Sequence, residues 1–329
     1  MRYLYVIFFC TLFGYSQQIK FKVKDSLRNK GIEFVSVNFL NGYGVFSNAK
    51  GEVYLDLKGI ENIELSHISY HNKTIKTNQI DSIIYLQQNF QSLKEIVVSK
   101  KSKKKYYKED LKIKKNDSYV QFGTYGYQIA SLIQIDSSNN SYLDEVYIPI
   151  EMDEVWMKVN RLNSIENSIV RISFHENVMN YPSENAIIDS ENILIDKKIL
   201  NRKRISHKLK EGILIPKEGI YCLITFLGKA DLDGNLVLEM PLYKQKYQGK
   251  EIDFIKYHPI VIPMNLNVKS VPTYSRCVFS KDLSFSRLIP TVTVPAKYQE
   301  VGKKEYMESR FSPNDNYSIN IGFKYYKYE

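Results

Sequence analysis

The sequence predicts an all-β protein: a small N-terminal antiparallel β-sandwich followed by a larger, jelly-roll-like β-sandwich. Two observations carry this. Tyr is abundant, at 26 of 329 residues, and Ile, Val and Phe are frequent while Ala is scarce, a mix that suits pleated sheets better than helices. Apolar residues alternate with polar ones over short runs, and no window sustains a helical apolar repeat. The length fills two ordinary domains of roughly 100–200 residues each. A hydrophobic content of 43% supplies a core and excludes global disorder.

In chain order, residues 1–16 read as an export signal: Arg2 is the charged start, Tyr3 to Phe13 the apolar run, and Gly14-Tyr15-Ser16 a small-residue cleavage site. The run is shorter than the roughly 20 residues that span a bilayer. Cys10 follows Phe9, which does not suit a lipoprotein site, so the expectation is an exported protein without a lipid anchor, in the periplasm or at the outer membrane and cell surface. Beyond that segment stand Cys222 and Cys277. Export would allow them to pair, but Cys222 shares a strand face with Ile220, Ile224 and Phe226, which favours a buried free thiol.

Residues 17–99 read as the first domain, with strands at Ile19–Val23, Ile32–Leu40, Gly44–Ser47, Glu52–Leu57, Ile63–Ile68, Lys73–Lys76 and Ser82–Leu86. The stretch from Ile32 to Val53 organises it: alternation over Phe34–Leu40, then Asn41-Gly42 and Lys50-Gly51 where the chain reverses. Residues 100–117 are crowded with lysine from Lys100 to Lys115. The segment reads as a solvated linker, with contact to an anionic surface as the functional alternative. Residues 118–329 return to β patterning. Expected strands include Val146–Ile150, Val155–Val159, the alternating Val170/Ile172/Phe174, Asn192–Lys197, Ile205–Leu209, Gly219–Leu227, Leu236–Glu239, Phe279–Ser280 with their neighbours, Thr291–Val294 and Ser318–Lys327.

Five stretches in a fixed order carry a resemblance: Val23-Lys-Asp25, Ile32-Glu-Phe-Val-Ser-Val37, Ser47-Asn-Ala-Lys-Gly-Glu-Val53, Leu65-Ser-His-Ile-Ser-Tyr70 and Leu93-Lys-Glu-Ile-Val-Val98. Together they resemble the carboxypeptidase-regulatory-like domain, a prealbumin-like β-sandwich of exported and outer-membrane proteins of Gram-negative bacteria. Phe21, Gly31 and Ser69 stand where that family has Gly, Pro and Gly. The resemblance implies a fold and an envelope location and no peptidase activity. The run Ile169–Ile199, followed by Gly212–Gly228 (GILIPKEGIYCLITFLG), resembles the C-terminal half of other exported proteins with that module, for which it implies no activity.

No catalytic or cofactor-binding constellation emerges. The histidines His67, His71, His175, His207 and His258 form no HExxH, and there is no GxSxG, P-loop or GxGxxG opening a helix. Asp231-Leu-Asp-Gly-Asn235 reads as a hairpin turn, although a structural ion would be sought there first. The pairs Asp153/Glu154 and Glu184/Asp189 have no spacing that signals glycosidic acid–base work. The candidate ligand-contact aromatics are Trp156, Tyr125 and Tyr127, with Tyr243–Tyr247 beside them, weighed against core packing. The net charge of +10 comes with no nucleic-acid motif, so nucleic acid is not the expected partner. The function expected is a non-enzymatic envelope protein that binds a glycan or a protein partner. The alternative is a small outer-membrane β-barrel ending in the aromatic, alternating Ser318–Tyr328.

Overall fold

The structure, a computed structural model, describes residues 18–56, 59–89, 103–109, 119–135, 140–152, 167–238, 242–247, 250–255, 257–266, 273–280, 284–287, 317–319 and 321–328. The expected signal segment, Cys10, Trp156, Asp153/Glu154, Val155–Val159 and Thr291–Val294 lie outside these residues.

The protein is all-β. The first module has the seven expected strands: β1 (Gln18–Asp25), β2 (Ser36–Asn38), β3 (Gly44–Phe46), β4 (Glu52–Asp56), β5 (Asn62–His67), β6 (Tyr70–Lys76) and β7 (Ile83–Leu86). They form two sheets, ordered β4-β1-β7 and β3-β2-β5-β6. Alternation supplies the core between them: Phe21 and Val23, Val53 and Leu55, Ile63 and Leu65, Ile84 and Leu86 all turn inward. One pairing departs from the antiparallel expectation, since β7 runs parallel to β1. A parallel neighbour needs a long crossover, and the five intervening strands provide it. Asp25 ties the end of β1 down. Its carboxylate accepts from the Leu27 and Arg28 amides at 2.8 and 2.9 Å, from the Tyr70 hydroxyl at 2.9 Å and from Gln88 Nε2 at 2.7 Å.

Ile32–Leu40 is not one strand. Phe34 and Leu40 have φ of 52° and 60°, left-handed values that a pleated ribbon cannot carry. The Leu40 amide is turned onto Asn38 Oδ1 at 2.7 Å. The break at Phe34 puts neighbouring side chains into different cores: Val35 and Val37 stay in the first module, while Phe34 joins a cluster with Phe46, Ile169, Leu227 and Phe279.

The second module comprises β8 (Lys104–Glu109), β9 (Tyr119–Thr124), β10 (Tyr127–Ile133), β11 (Ser141–Pro149), β12 (Glu151–Met152), β13 (Asn167–Val178), β14 (Tyr181–Ala186), β15 (Glu191–Ile195), α1 (Lys197–Asn201), β16 (Arg204–Ile215), β17 (Ile220–Ala230), β18 (Leu242–Tyr247), β19 (Lys250–Ile255), β20 (Tyr257–Leu266), β21 (Thr273–Cys277), β22 (Ser286–Arg287), β23 (Tyr317–Ser318) and β24 (Gly322–Tyr328). The largest sheet runs β14-β13-β17-β10-β21-β22, with β15 also on β13. A second runs β16-β11-β24-β8, and a third joins β12, β20, β23 and β9. One core serves all three: Val170, Ile172, Phe174, Ile220, Ile224 and Phe226 meet Val146, Ile148, Ile205, Ile213, Phe323 and Tyr325, with Ile260 and Ile262 from β20.

Several expectations shift at element ends. Asn192–Lys197 stops at Ile195 because Asp196 caps α1, its Oδ1 accepting from the Ile199 amide at 2.8 Å. Leu236 makes one bridge, to Ala230, and starts no strand among the described residues. The largest correction concerns the lysine-rich linker. Lys104–Glu109 within it is a strand, paired antiparallel with β24 from Phe323↔Glu109 to Tyr328↔Lys104. Tyr107 explains this: it stacks on Tyr325 at 5.1 Å and packs against the large core, so the lysines flank a half-buried anchor.

The two modules touch through the stretch between Glu33 and Phe46. Arg171 Nη2 donates to the Phe34 carbonyl at 3.1 Å, Asn38 Nδ2 to the Ser280 carbonyl at 3.2 Å, and the Gly42 amide to the Phe279 carbonyl at 3.1 Å. Asn192 accepts from Arg171 Nε at 3.1 Å and donates to Glu33 Oε1 at 3.2 Å.

Candidate functional site

The outer face of β16-β11-β24-β8 concentrates the chemistry. Alternation along β24 sends Phe323 and Tyr325 into the core and leaves Lys324, Tyr326 and Tyr328 outward. Register then brings Tyr106 of β8 and Tyr142 of β11 beside Tyr326, and Lys104 beside Tyr328. Farther along, a β-bulge between Leu143 and Glu145 on β11 resets the alternation, so Glu145 and Tyr147 also face outward, opposite Lys208 and Ser206 of β16.

Cations lie over these rings. Lys104 Nζ is 4.2 Å from the Tyr326 centroid, Lys324 Nζ 4.3 Å from that of Tyr106, and Lys108 Nζ 5.4 Å from that of Tyr147. The Arg204 guanidinium lies 5.3 Å from the same Tyr147 ring. Each contact holds a long, flexible cation in one place at a gain of roughly 0.5–1 kcal/mol for an exposed pair. The rings also hold each other: Tyr142 and Tyr326 stack at 5.4 Å and 12°, and Tyr328 meets both edge-on at 5.4 Å.

Two carboxylates share the area. Asp144 Oδ2 lies 3.5 Å from Lys324 Nζ, and Glu145 Oε2 accepts from the Tyr147 hydroxyl at 2.8 Å. Burial, then that hydrogen bond, pushes the Tyr147 phenol up to about 12. Burial likewise raises Tyr326, with its hydrogen bond to Tyr328 next. Both phenols are therefore neutral donors through the physiological range. Tyr106 and Tyr328 are about half exposed, whereas Tyr326 is buried beneath its neighbours. The face thus offers anchored ammonium and guanidinium groups among phenol hydroxyls on a rigid sheet, suited to a hydroxylated or anionic chain.

The aromatics singled out in the sequence lie elsewhere. Tyr125 is half-buried between the modules, 5.8 Å from Phe46 and 6.0 Å from Phe279. Tyr127 packs against the large core. Both rings pack on apolar clusters while staying half-buried. Tyr243–Tyr247 fall on β18, in the hairpin with β19. The sequence marked Lys100–Lys115 for contact with an anionic surface and Ser318–Tyr328 as an aromatic strand. It could not join them with Tyr142–Tyr147 and Arg204–Lys208 into one face, because the four segments lie far apart along the chain. The signal common to two of them was the mixture of Lys and Tyr in both Lys104–Lys108 and Lys324–Tyr328.

Elsewhere a depression is lined by Tyr181, Pro182, Glu184, Arg276, Ser284 and Phe285. Arg276 Nε donates to Gln128 Oε1 at 2.6 Å, and its guanidinium lies 4.2 Å from the Phe285 centroid. Nearby, His175 Nδ1 lies 2.7 Å from the Ser183 carbonyl, which fixes the proton on Nδ1, and Nε2 accepts from Ser173 Oγ at 2.9 Å. A hydroxyl, an imidazole and an orienting acceptor are the parts of an activated nucleophile. Here Ser173 and His175 are each 2% exposed, so no substrate reaches them.

The remaining candidates resolve structurally. Asp231 Oδ1 accepts from the Asp233 and Asn235 amides at 3.0 and 2.8 Å, so that carboxylate closes its own turn. Among the described residues no three His, Cys, Asp or Glu side chains gather as metal ligands, and no helix is long and apolar enough to cross a membrane. Cys222 and Cys277 are free thiols. They pair with Ser131 and Tyr127 of β10, four positions apart and on opposite sides of that strand. That is roughly 13 Å along the strand alone, beyond the 7 Å or so between Cα atoms that a disulfide bridges.

No family model, no curated protein and no solved structure matches this chain.

Proposed function

We propose that this is an exported, non-enzymatic protein of a Gram-negative envelope, in which a carboxypeptidase-regulatory-like module is joined to a β-sandwich that binds a glycan. The observation that carries the binding reading is the tyrosine–lysine face, where Lys104, Lys108, Lys324 and Arg204 are seated on Tyr326, Tyr106 and Tyr147. Sugars present hydroxyls in every direction. A rigid array of phenol and ammonium donors meets them with little entropy left to lose. Glycan is favoured over a protein partner because an interface core is depleted in charge, and this face is not. The export reading rests on Arg2 and the apolar run Tyr3–Phe13. Against a membrane barrel stands the second module's core, where apolar side chains of separate sheets meet one another rather than facing outward to lipid.

Two measurements test this. Titration of the full chain with a panel of envelope polysaccharides is expected to give saturable binding that Tyr106→Ala with Tyr328→Ala weakens. Silence across the panel sinks the binding reading. Host membranes washed with alkaline carbonate are expected to release the protein, and retention until detergent is added would favour the barrel.

A further inference from the structure

We infer that the polysaccharide taken by this face is acidic, carrying a carboxylate or sulfate on its repeat. The inference rests on the proposal above and names the ligand class of the same site. The outer face presents Lys104, Lys108, Lys324, Arg204 and Lys208 against Asp144 and Glu145. One of those carboxylates is already engaged by Lys324 and the other by the Tyr147 hydroxyl. Cations therefore exceed anions on a surface that a neutral sugar would need no charge to bind.

The ring geometry decides against the other polyanions. Sequence-tolerant stacking of nucleic-acid bases needs open ring faces. Here Tyr142 and Tyr326 turn their faces to each other, Lys324 lies over one side of Tyr106, and Lys108 with Arg204 lies over Tyr147, which leaves only the half-exposed Tyr106 and Tyr328 with open ring area. A lipid surface would be met by apolar groups reaching past the cations into the acyl region. On this face the central ring, Tyr326, is 4% exposed and lies beneath Lys104. Apart from Leu214, half-exposed beside Tyr142, what remains outermost is cationic nitrogen and phenol hydroxyl. Such a surface fits a chain whose repeats alternate acid groups and hydroxyls. Because the cations are already held on rings, binding immobilises little that was free.

The test titrates the full chain with polygalacturonate, dextran sulfate and neutral dextran, and separately with phosphatidylglycerol vesicles and a single-stranded oligodeoxynucleotide, at low and high salt. One or both acidic polysaccharides are expected to bind, neutral dextran is not, and the affinity falls steeply with salt. Comparing the two acidic chains tells carboxylate from sulfate. A variant carrying Lys104→Gln, Lys108→Gln and Lys324→Gln is expected to lose about tenfold in affinity. A Lys20→Gln, Lys22→Gln, Lys24→Gln variant in the first module removes the same charge and is expected to change little. Salt-independent binding of neutral dextran would overturn the acidic assignment and leave the glycan proposal standing. Binding of vesicles or oligonucleotide with no polysaccharide bound would overturn both. Full affinity in a folded triple variant of the face, with circular dichroism unchanged, would overturn the placement.

Discussion

Arg171 of the second module donates from Nη2 to the carbonyl oxygen of Phe34 in the first at 3.1 Å, and both residues are buried. Burial draws the guanidinium down to about 10, with Glu33 pulling the other way. A cation is retained in an interface only when its hydrogen bonds are made. Here the Phe34 carbonyl and Asn192 accept them. The left-handed backbone at Phe34 aligns with this arrangement: the ring enters the shared cluster while the carbonyl meets Arg171.

Arg171→Ala is accordingly expected to strand the Phe34 carbonyl and cost about 2–4 kcal/mol. The readout is calorimetric. The parent chain is expected to unfold in one transition, and the variant in two, with the first module melting earlier. Arg171→Met, which keeps the stem's volume, is expected to cost less. An unchanged single transition in both variants would mean that the contact does not couple the modules.

Phe279 closes the same interface, 5.1 Å from Phe46. A Cβ at Gly44 would lie 2.3 Å from the Phe279 ring and 2.4 Å from the Val37 carbonyl. Gly44→Ala is therefore expected to separate the modules as Arg171→Ala does. Phe279→Ala leaves a cavity worth about 3–5 kcal/mol. Equilibrium denaturation by guanidinium checks both, with the first module losing its cooperative link to the second.

Residues 104–109 test how a lysine-rich sequence becomes a strand. Their amides on the β24 side are expected to exchange slowly with solvent, unlike those of a solvated linker. Tyr107→Ser, which removes the stack on Tyr325 and the core contact, is expected to abolish that protection while β11 and β16 keep theirs. Hydrogen-exchange mass spectrometry of the full chain reads this, and fast exchange in the parent would contradict the pairing.

The all-β class and the seven short strands of the first module were legible because alternation and turn residues are local signals. Phe34 was misread for the same reason: alternation places a side chain on one face or the other, and the positive φ that sends it to a second core depends on Phe279 and Ile169, more than 130 residues away. The charged face was illegible as a site. Tyr142, Tyr326 and Tyr106 meet only through register, and the bulge at Leu143/Glu145 decides which residues of β11 join them. Lysine density suggested a linker because repulsion is legible in sequence and a cation resting on a ring one or two strands away in the sheet is not.

Acid sensitivity should originate at His175. Burial lowers its pKa to about 4, Arg276 adding to the shift and the Ser183 carbonyl opposing it. In the unfolded chain the value returns to roughly 6.5. The unfolded state therefore binds the proton first, and stability falls as pH drops from about 6.5 to about 4, by about 3 kcal/mol at most. His67, brought down to about 3 by burial and then by Arg171, acts in the same direction. Asp25, lowered chiefly by its hydrogen bond from the Arg28 amide, contributes only once pH falls below the ordinary carboxylate value of 3.8. The histidine losses thus begin well above the Asp25 loss, and His67 overlaps both. Denaturation midpoints across this range should decline in the parent and decline less in His175→Asn, whose amide can still donate to Ser183. Equal slopes in the two proteins would mean that His175 does not carry the effect.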